Sequence, residues 1–365
     1  MISIEKELFG KHKDFEVYKY KIRNANGFQV NILNYGGTIT QIYTKDRTGN
    51  LTNVVLGYKD FEKYKENKAY PGMIIGRTSG RIENAQFEIE GTTYMLAKNN
   101  GENSLHGGNE GFSSKIFDVT LLETGIELSY KSPHMEEGYP GNFYIKVRYT
   151  ITENDNLTIE YEGFGDKNTY INLTNHGYFN LSGDLKENGD EQILTVKSDY
   201  ICELKEGLIP TGKFLKVSDK ENEIFDFRNG KKIKEGIEKG EKEKNYQFKI
   251  TRAYDHPFKL NWCGIEEEPQ IKLKSLYSGI ELDIFTTEKV AVIYTGNFLD
   301  DVEPFDISHI RPKNKKIAEK NRRYLGVAIE TQDYPNGINE KNFENKILKK
   351  GEKYYSKTVF SFSNF

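Results

Sequence analysis

From end to end the chain alternates apolar and polar residues with a period of two. FEVYKYKIRN, FQVNILNY, QFEIEGTTYML, GIELSYKS, NFYIKVRYTITEN, NLTIEYEG and GIELDIFTTEKVAVIYTG are all short runs of this kind. Successive side chains of a strand point to opposite faces, so each run can bury one face and solvate the other. Turn formers such as Ala-Asn-Gly, Glu-Gly and Glu-Asn-Asp-Asn close the runs. Strand follows strand without long helices between them, which predicts antiparallel sheets packed on one another rather than βαβ units. The expected class is therefore mainly all-β, a large antiparallel β-sandwich with few short helices. The 24 tyrosines and 22 phenylalanines agree with it, because aromatic side chains suit a pleated, half-buried surface.

Two segments break the alternation. Asp60 to Ala69, DFEKYKENKA, predicts a short surface helix. Asn229 to Asn245, NGKKIKEGIEKGEKEKN, is a dense run of mixed charge that reads as a solvated loop or a short exposed helix rather than a docking tail. No Pro- or Ser-rich linker and no internal repeat divides the chain, so residues 1–365 are expected to form a single domain.

Lys plus Arg number 52 against 55 Asp plus Glu, a formal net charge of −3. That balance offers no broad basic field for nucleic acid or an anionic membrane, and it suits a small neutral ligand. The two cysteines, Cys202 and Cys263, form no CxxC or Cys/His cluster, so reduced thiols are expected rather than a disulfide framework or a structural zinc site. The start, MISIEKELFGKHKD, lacks the apolar core of a signal peptide, and no apolar run is long enough to span a bilayer. The expectation is a cytoplasmic protein, monomeric or homodimeric, with no membrane or nucleic-acid partner.

Sorting INLTNHGYFNLSG by strand face puts Ile171, Leu173, Phe179 and Leu181 on one side. Asn172, Thr174, His176, Tyr178 and Asn180 fall on the other. The first side calls for a core, and the second is a row of hydrogen-bonding groups that would suit either a sugar or plain solvent. In YLGVAIETQ the same sorting sets Leu325, Val327 and Ile329 against Gly326, Ala328, Glu330 and Gln332. A carboxylate beside tiny side chains has room above it for a ligand, and burial would raise its pKa toward that of a general base.

Six histidines are present. His106 lies in the Gly-rich NSLHGGNEGF, where backbone can approach a ligand closely. His12, His134 and His309 read as surface residues. His256 in YDHPF reads as structural, while its neighbour Asp255 could bind hydroxyls. Arg81 in IIGRTSGRIENAQF could offer its planar fork to two vicinal hydroxyls or make a surface ion pair. His106, His176 and Glu330 have the ligand types of a two-histidine, one-carboxylate metal site, but no HxH, HxxxH or HExxH spacing supports one.

Taken in order, these motifs resemble the aldose 1-epimerase, or galactose mutarotase, family over nearly the whole chain. NYGGTITQIYTKDRTGNLTNVVLGY is followed by IIGRTSGRI, NNGENSLHGGNEGF, SPHMEEGYPGNF and NLTNHGYFNLSG, then by IPTG, FDFR, YDHPF, IYTGNF and GVAIETQDYPNGIN. The resemblance implies a sandwich whose open face holds a free hexose, with Glu330 as general base and His176 as general acid. It implies that Arg81, His106 and Asp255 hold the sugar, and that neither metal nor cofactor is needed. Gly80, Phe117 and Asp333 depart from residues common in the family and are expected to reshape the pocket rim. The expected activity is interconversion of the α and β anomers of a free hexose, galactose or glucose. A hexose-6-phosphate 1-epimerase and a carbohydrate-binding sandwich without epimerase activity are the alternatives. A glycosidase would need two carboxylates about the scissile bond and would leave the histidine motifs without a purpose.

Overall fold

A computed structural model describes residues 1–66, 69–265, 268–301, 305, 323–344 and 347–365. Three large sheets organise them. The first joins Ser3–His12, Phe15–Arg23, Gln29–Leu33, Ile39–Lys45 and Leu51–Asn53 in chain order. The second has nine strands, with Phe143–Ile151, Asn156–Gly165, Lys353–Asn364 and Ile280–Thr286 side by side at its middle. The third runs Tyr178–Phe179, Val327–Gln332, Val290–Tyr294, Asp255–Lys259, Tyr200–Lys205 and Ile209–Lys216. The paired strands of all three are antiparallel, as the alternation requires.

Alternation also decides what each sheet buries. From the third sheet Ile201, Phe258, Ala291, Ile293, Val327 and Ile329 point one way. They share one core with Val147, Tyr149, Ile159, Leu282, Ile284 and Phe360 of the second sheet and with Ile22, Val30 and Ile32 of the first. Each fully buried aliphatic or aromatic side chain of this kind is worth roughly 1.5–3 kcal/mol. A one-residue slip would turn such a strand's whole apolar set outward, so the core fixes the register and with it the residues left on the opposite face. Ile171, Leu173, Phe179 and Leu181 all lie in that core, as expected.

The polar side of the same segment behaves differently. Residues 171–183 do not form one strand but two short ones, Thr174–Asn175 and Tyr178–Phe179. Asn172 exchanges hydrogen bonds with the backbone of Asp333, Thr174 Oγ1 donates to the Thr331 carbonyl, and Asn180 Nδ2 donates to the carbonyls of Glu187 and Leu325. These three side chains staple backbone together, so the expected sugar-facing row reduces to His176 with Tyr178 at its edge.

Both helical expectations need a similar correction. Phe61–Glu66 is a helix, but Phe61 and Tyr64 are buried and the Phe61 ring packs edge-on against Tyr35 at 5.1 Å. The charged run forms the helix Ile233–Glu243, whose Ile233, Gly236, Ile237 and Gly240 are buried. Spacing of three and four residues makes that set one face of a helix, so the segment is docked on the protein with its charges outward. A further short helix, Tyr246–Thr251, begins where the Asn245 side chain accepts the Phe248 N–H at 3.2 Å. Cys202 is buried, Cys263 is exposed and neither is in a disulfide. No described helix is long and apolar enough to cross a membrane. His309 lies outside the described residues.

Candidate active site

The face of the third sheet turned away from the core forms the floor of a cleft of about 510 Å³. Register sets its layout. Ala328 lies beside Tyr178 and Tyr294, Glu330 beside Val292, and Gln332 beside Val290. One strand further on, Asp255 is beside Tyr294 and Pro257 beside Val292. Asp255 thus shares the cleft face with Glu330, while its neighbour His256 turns into the core.

His176 reaches the cleft from the break between the two short strands. Its N–H donates to the Met73 carbonyl and its own carbonyl accepts from Gly72 N–H, each at 2.9 Å. Asn175 Nδ2 adds a bond to the Gly72 carbonyl at 2.8 Å. His176 Nε2 then stands 3.4 Å from Glu330 Oε1, with both side chains 5% exposed. This exceeds the usual hydrogen-bond length, so the two groups face a common space without being locked together.

Burial governs their charges. Desolvation, helped by the negative Asp255 and opposed by Arg81, pushes the Glu330 carboxyl up to about 8. Desolvation pushes the His176 imidazole down to about 4. Between those values the pair carries one proton, which rests on the Glu330 carboxyl beside a neutral His176. A carboxylic acid beside an imidazole and a carboxylate beside an imidazolium are two arrangements of the same count.

The other expected residues surround this pair. Arg81 comes from the short hairpin Arg81–Ile82 with Ser104–Leu105. Its Nε donates to Asn100 Oδ1 at 3.0 Å and its Nη1 lies 3.9 Å from Asp255 Oδ2. Asp255 is raised by burial, with Arg81 acting against the shift. His106 is held well below its ordinary pKa by burial first, then by His176 and Arg81. Its Nδ1 accepts the Gly80 N–H at 3.3 Å, so the neutral ring carries its hydrogen on Nε2. Next to it Gly107 has φ +84°, and a Cβ there would lie 2.0 Å from the Gly76 carbonyl oxygen, so this loop needs glycine to approach so closely.

Ligand atoms of His106, His176 and Glu330 lie within 4.8 Å of one another. A metal-bound histidine ordinarily donates its second ring N–H to an acceptor. Here His106 Nδ1 accepts instead, and among the described residues the buried His176 Nδ1 meets no group beyond its own residue's backbone. The cluster presents a donor at His106 and suits hydroxyls better than a cation.

All five expected site residues, Arg81, His106, His176, Asp255 and Glu330, line this cleft. Of the three departures only Gly80 does; its φ is +69° and a Cβ would come within 2.7 Å of Pro335. Phe117 is instead buried against Tyr130, with ring centroids 5.6 Å apart, and Asp333 is no part of the cleft wall. Arg77, from the same motif as Arg81, is wholly consumed in structure: it donates five hydrogen bonds, to Ser132 Oγ and to the carbonyls of Ser132, Pro133, Pro140 and Gly141. Asn100, Tyr294 and Tyr70 also line the cleft and were not anticipated. Asn100 and Tyr294 lie within quoted motifs, but their partners are too distant in sequence for the motifs to show the contact.

The sequence profile of the family described as Aldose 1-epimerase matches residues 18–361. The chain is 34% identical to the galactose mutarotase of Sus scrofa over 365 residues, covering 100% of this chain and 99% of that one. It is 32% identical to the aldose 1-epimerase of Haemophilus influenzae, covering 93% and 94% of the two chains. Among solved structures, a GalM/aldose epimerase homologue from C. elegans superposes with a TM-score of 0.81 at 27% identity, over 94% of this chain and 98% of that one.

Proposed function

The chain belongs to the aldose 1-epimerase family of isomerases, which interconvert aldose anomers, and from that premise we propose that Glu330 and His176 open and reclose the ring of a free hexose, galactose or glucose. The observation that carries this reading is the buried Glu330–His176 pair, 3.4 Å apart on the floor of the cleft.

Anomer exchange needs one proton removed and one delivered. In the arrangement that places the pair's one proton on His176, the Glu330 carboxylate takes the proton of the C1 hydroxyl while the His176 imidazolium gives its proton to the ring oxygen. The bond between C1 and the ring oxygen breaks, and C1 becomes an aldehyde. Rotation about C1–C2 presents the other face. The hydroxyl formed from the ring oxygen then attacks C1, returning its proton to His176 as Glu330 returns its own to the C1 oxygen. Each group ends as it began, and the pair never gains or loses a net proton. The His106 Nε2–H, the Arg81 guanidinium and the Asp255 carboxyl hold the remaining hydroxyls, and this chemistry asks for no metal or cofactor. We take residues 1–365 as one domain acting in the cytoplasm, as a monomer or homodimer.

Among the described residues lining the cleft, Arg81 is the one Lys or Arg side chain, and it already faces Asp255 and Asn100. A phosphate would call for a cluster of such groups, which favours free hexose over hexose 6-phosphate. Polarimetry of freshly dissolved α-galactose, α-glucose and α-xylose, with galactose 6-phosphate as competitor, tests the reading. Faster mutarotation of the free hexoses, with little inhibition by the phosphate, is expected. Sugar binding without acceleration would leave a carbohydrate-binding protein.

A further inference from the structure

Catalytic imidazoles are ordinarily aimed by a hydrogen bond to the ring nitrogen not engaged in chemistry. Among the described residues, the buried Nδ1 of His176 meets no group beyond its own residue's backbone. Rings pack around it on several sides. These are His106 at 5.3 Å, Tyr178 at 5.0 Å, Tyr294 at 6.4 Å and Tyr70 at 6.1 Å between centroids. Tyr70 alone among the three tyrosines also packs on His106, edge-on at 4.8 Å.

The backbone at Tyr70 is held in an uncommon state. Its φ is +53°, in the left-handed region that a bulky L-residue rarely enters. The surrounding turn is tied to the histidine segment by several bonds. Met73 N–H donates to the Tyr70 carbonyl at 3.1 Å, Gly72 N–H to the His176 carbonyl and His176 N–H to the Met73 carbonyl. Tyr178 Oη donates to the Ala69 carbonyl at 2.9 Å. The turn thus carries a strained residue beside both imidazoles and is anchored to the backbone of one of them. Strain of this kind persists only where the surroundings over-determine it, and it gathers at functional sites.

We propose that Tyr70 is a positioning residue whose ring, held in this left-handed turn, sets the orientation of His176 and His106 for acid–base chemistry. The proposal rests on the acid–base reading above. It assigns the role to the ring and not to the hydroxyl, for which no hydrogen bond to another group is seen among the described residues.

Three substitutions separate positioning from scaffolding. Tyr70→Phe keeps the ring, Tyr70→Ala removes it with the backbone still strained, and Tyr70→Gly removes it and relieves the strain. Mutarotation kinetics and melting temperature are measured for each beside the wild type and Glu330→Gln. We expect Phe to hold kcat within about threefold of wild type, and Ala and Gly to lose about tenfold or more. Gly should nevertheless melt above Ala, the reverse of the usual order. Recovery of kcat in Gly along with its melting temperature would overturn the proposal, because activity would then follow stability. Wild-type kcat in Ala would overturn it as well. A wild type that does not accelerate mutarotation, or an undiminished Glu330→Gln, would instead sink the acid–base reading.

Discussion

The two faces of the six-stranded sheet are built from the same strands and differ in almost everything else. Asp255, Tyr294 and Glu330 stand on the cleft face, while His256, Ile293 and Ile329 stand on the core face one residue away. The histidines make the contrast plain. His256 is fully buried, its Nε2 has no hydrogen-bond partner among the described residues, and its ring lies 4.6 Å from that of Phe225. Burial pushes it down to about 3, as it pushes His176 down to about 4. A perturbed imidazole is therefore not by itself a sign of chemistry. What distinguishes His176 is a carboxyl 3.4 Å away and an open cleft of about 510 Å³ in front of it.

If the faces divide the labour, substitutions on them should fail in different ways. The largest effect belongs to the cleft face. Glu330→Gln and His176→Asn should each lower kcat for mutarotation by about a hundred- to ten-thousand-fold with the fold retained, as seen by polarimetry beside circular dichroism. A well-folded variant with an undiminished rate would break the division. On the core face, Ile293→Ala should cost about 2–5 kcal/mol of stability in denaturant unfolding while leaving kcat at 25 °C within about threefold. A large loss of rate without loss of stability would show that the core face takes part in the chemistry.

The smallest effect is read through pH. Glu330 is raised by burial from 4.5 to about 8, so the folded state binds its proton more tightly than the unfolded chain does. The stability this confers is complete below about 4.5 and is lost as pH rises toward 8. Glu330→Gln escapes that loss. Its melting temperature should gain on the wild type between pH 5 and pH 8, and a gap independent of pH would contradict the burial argument.

Much of this division is legible in the sequence because a strand's period of two is simple and cores enforce it. Ile171, Leu173, Phe179, Leu181, Val327 and Ile329 sort correctly with no knowledge of their partners. Polar residues sort less well, because what satisfies them lies far along the chain. Thr174 is bonded to Thr331 and Asn180 to Leu325, separations of 157 and 145 residues, so their stapling role is invisible locally. Arg77 and Arg81 look equivalent within IIGRTSGRI, yet one is spent on five bonds and the other faces Asp255. Even the mixed-charge helix hides its docking face, since two of its four buried positions are glycines. The Tyr70 turn is the extreme case: its sequence marks only a Tyr-Pro-Gly bend, while its left-handed φ and its place between two imidazoles arise from tertiary structure.

On the acid–base reading proposed above, Glu330 and His176 work as a pair that carries one proton. A pH–rate profile of kcat/KM for wild-type mutarotation of α-galactose, corrected for the uncatalysed reaction, reports the groups of the free enzyme and tests this most directly. A bell is expected whose limbs belong to the pair, the acid limb near 4 and the alkaline limb near 8. Below the acid limb both groups are protonated and no base remains, and above the alkaline limb both are unprotonated and no acid remains. A rate that keeps rising through pH 9, with no alkaline limb, would contradict it.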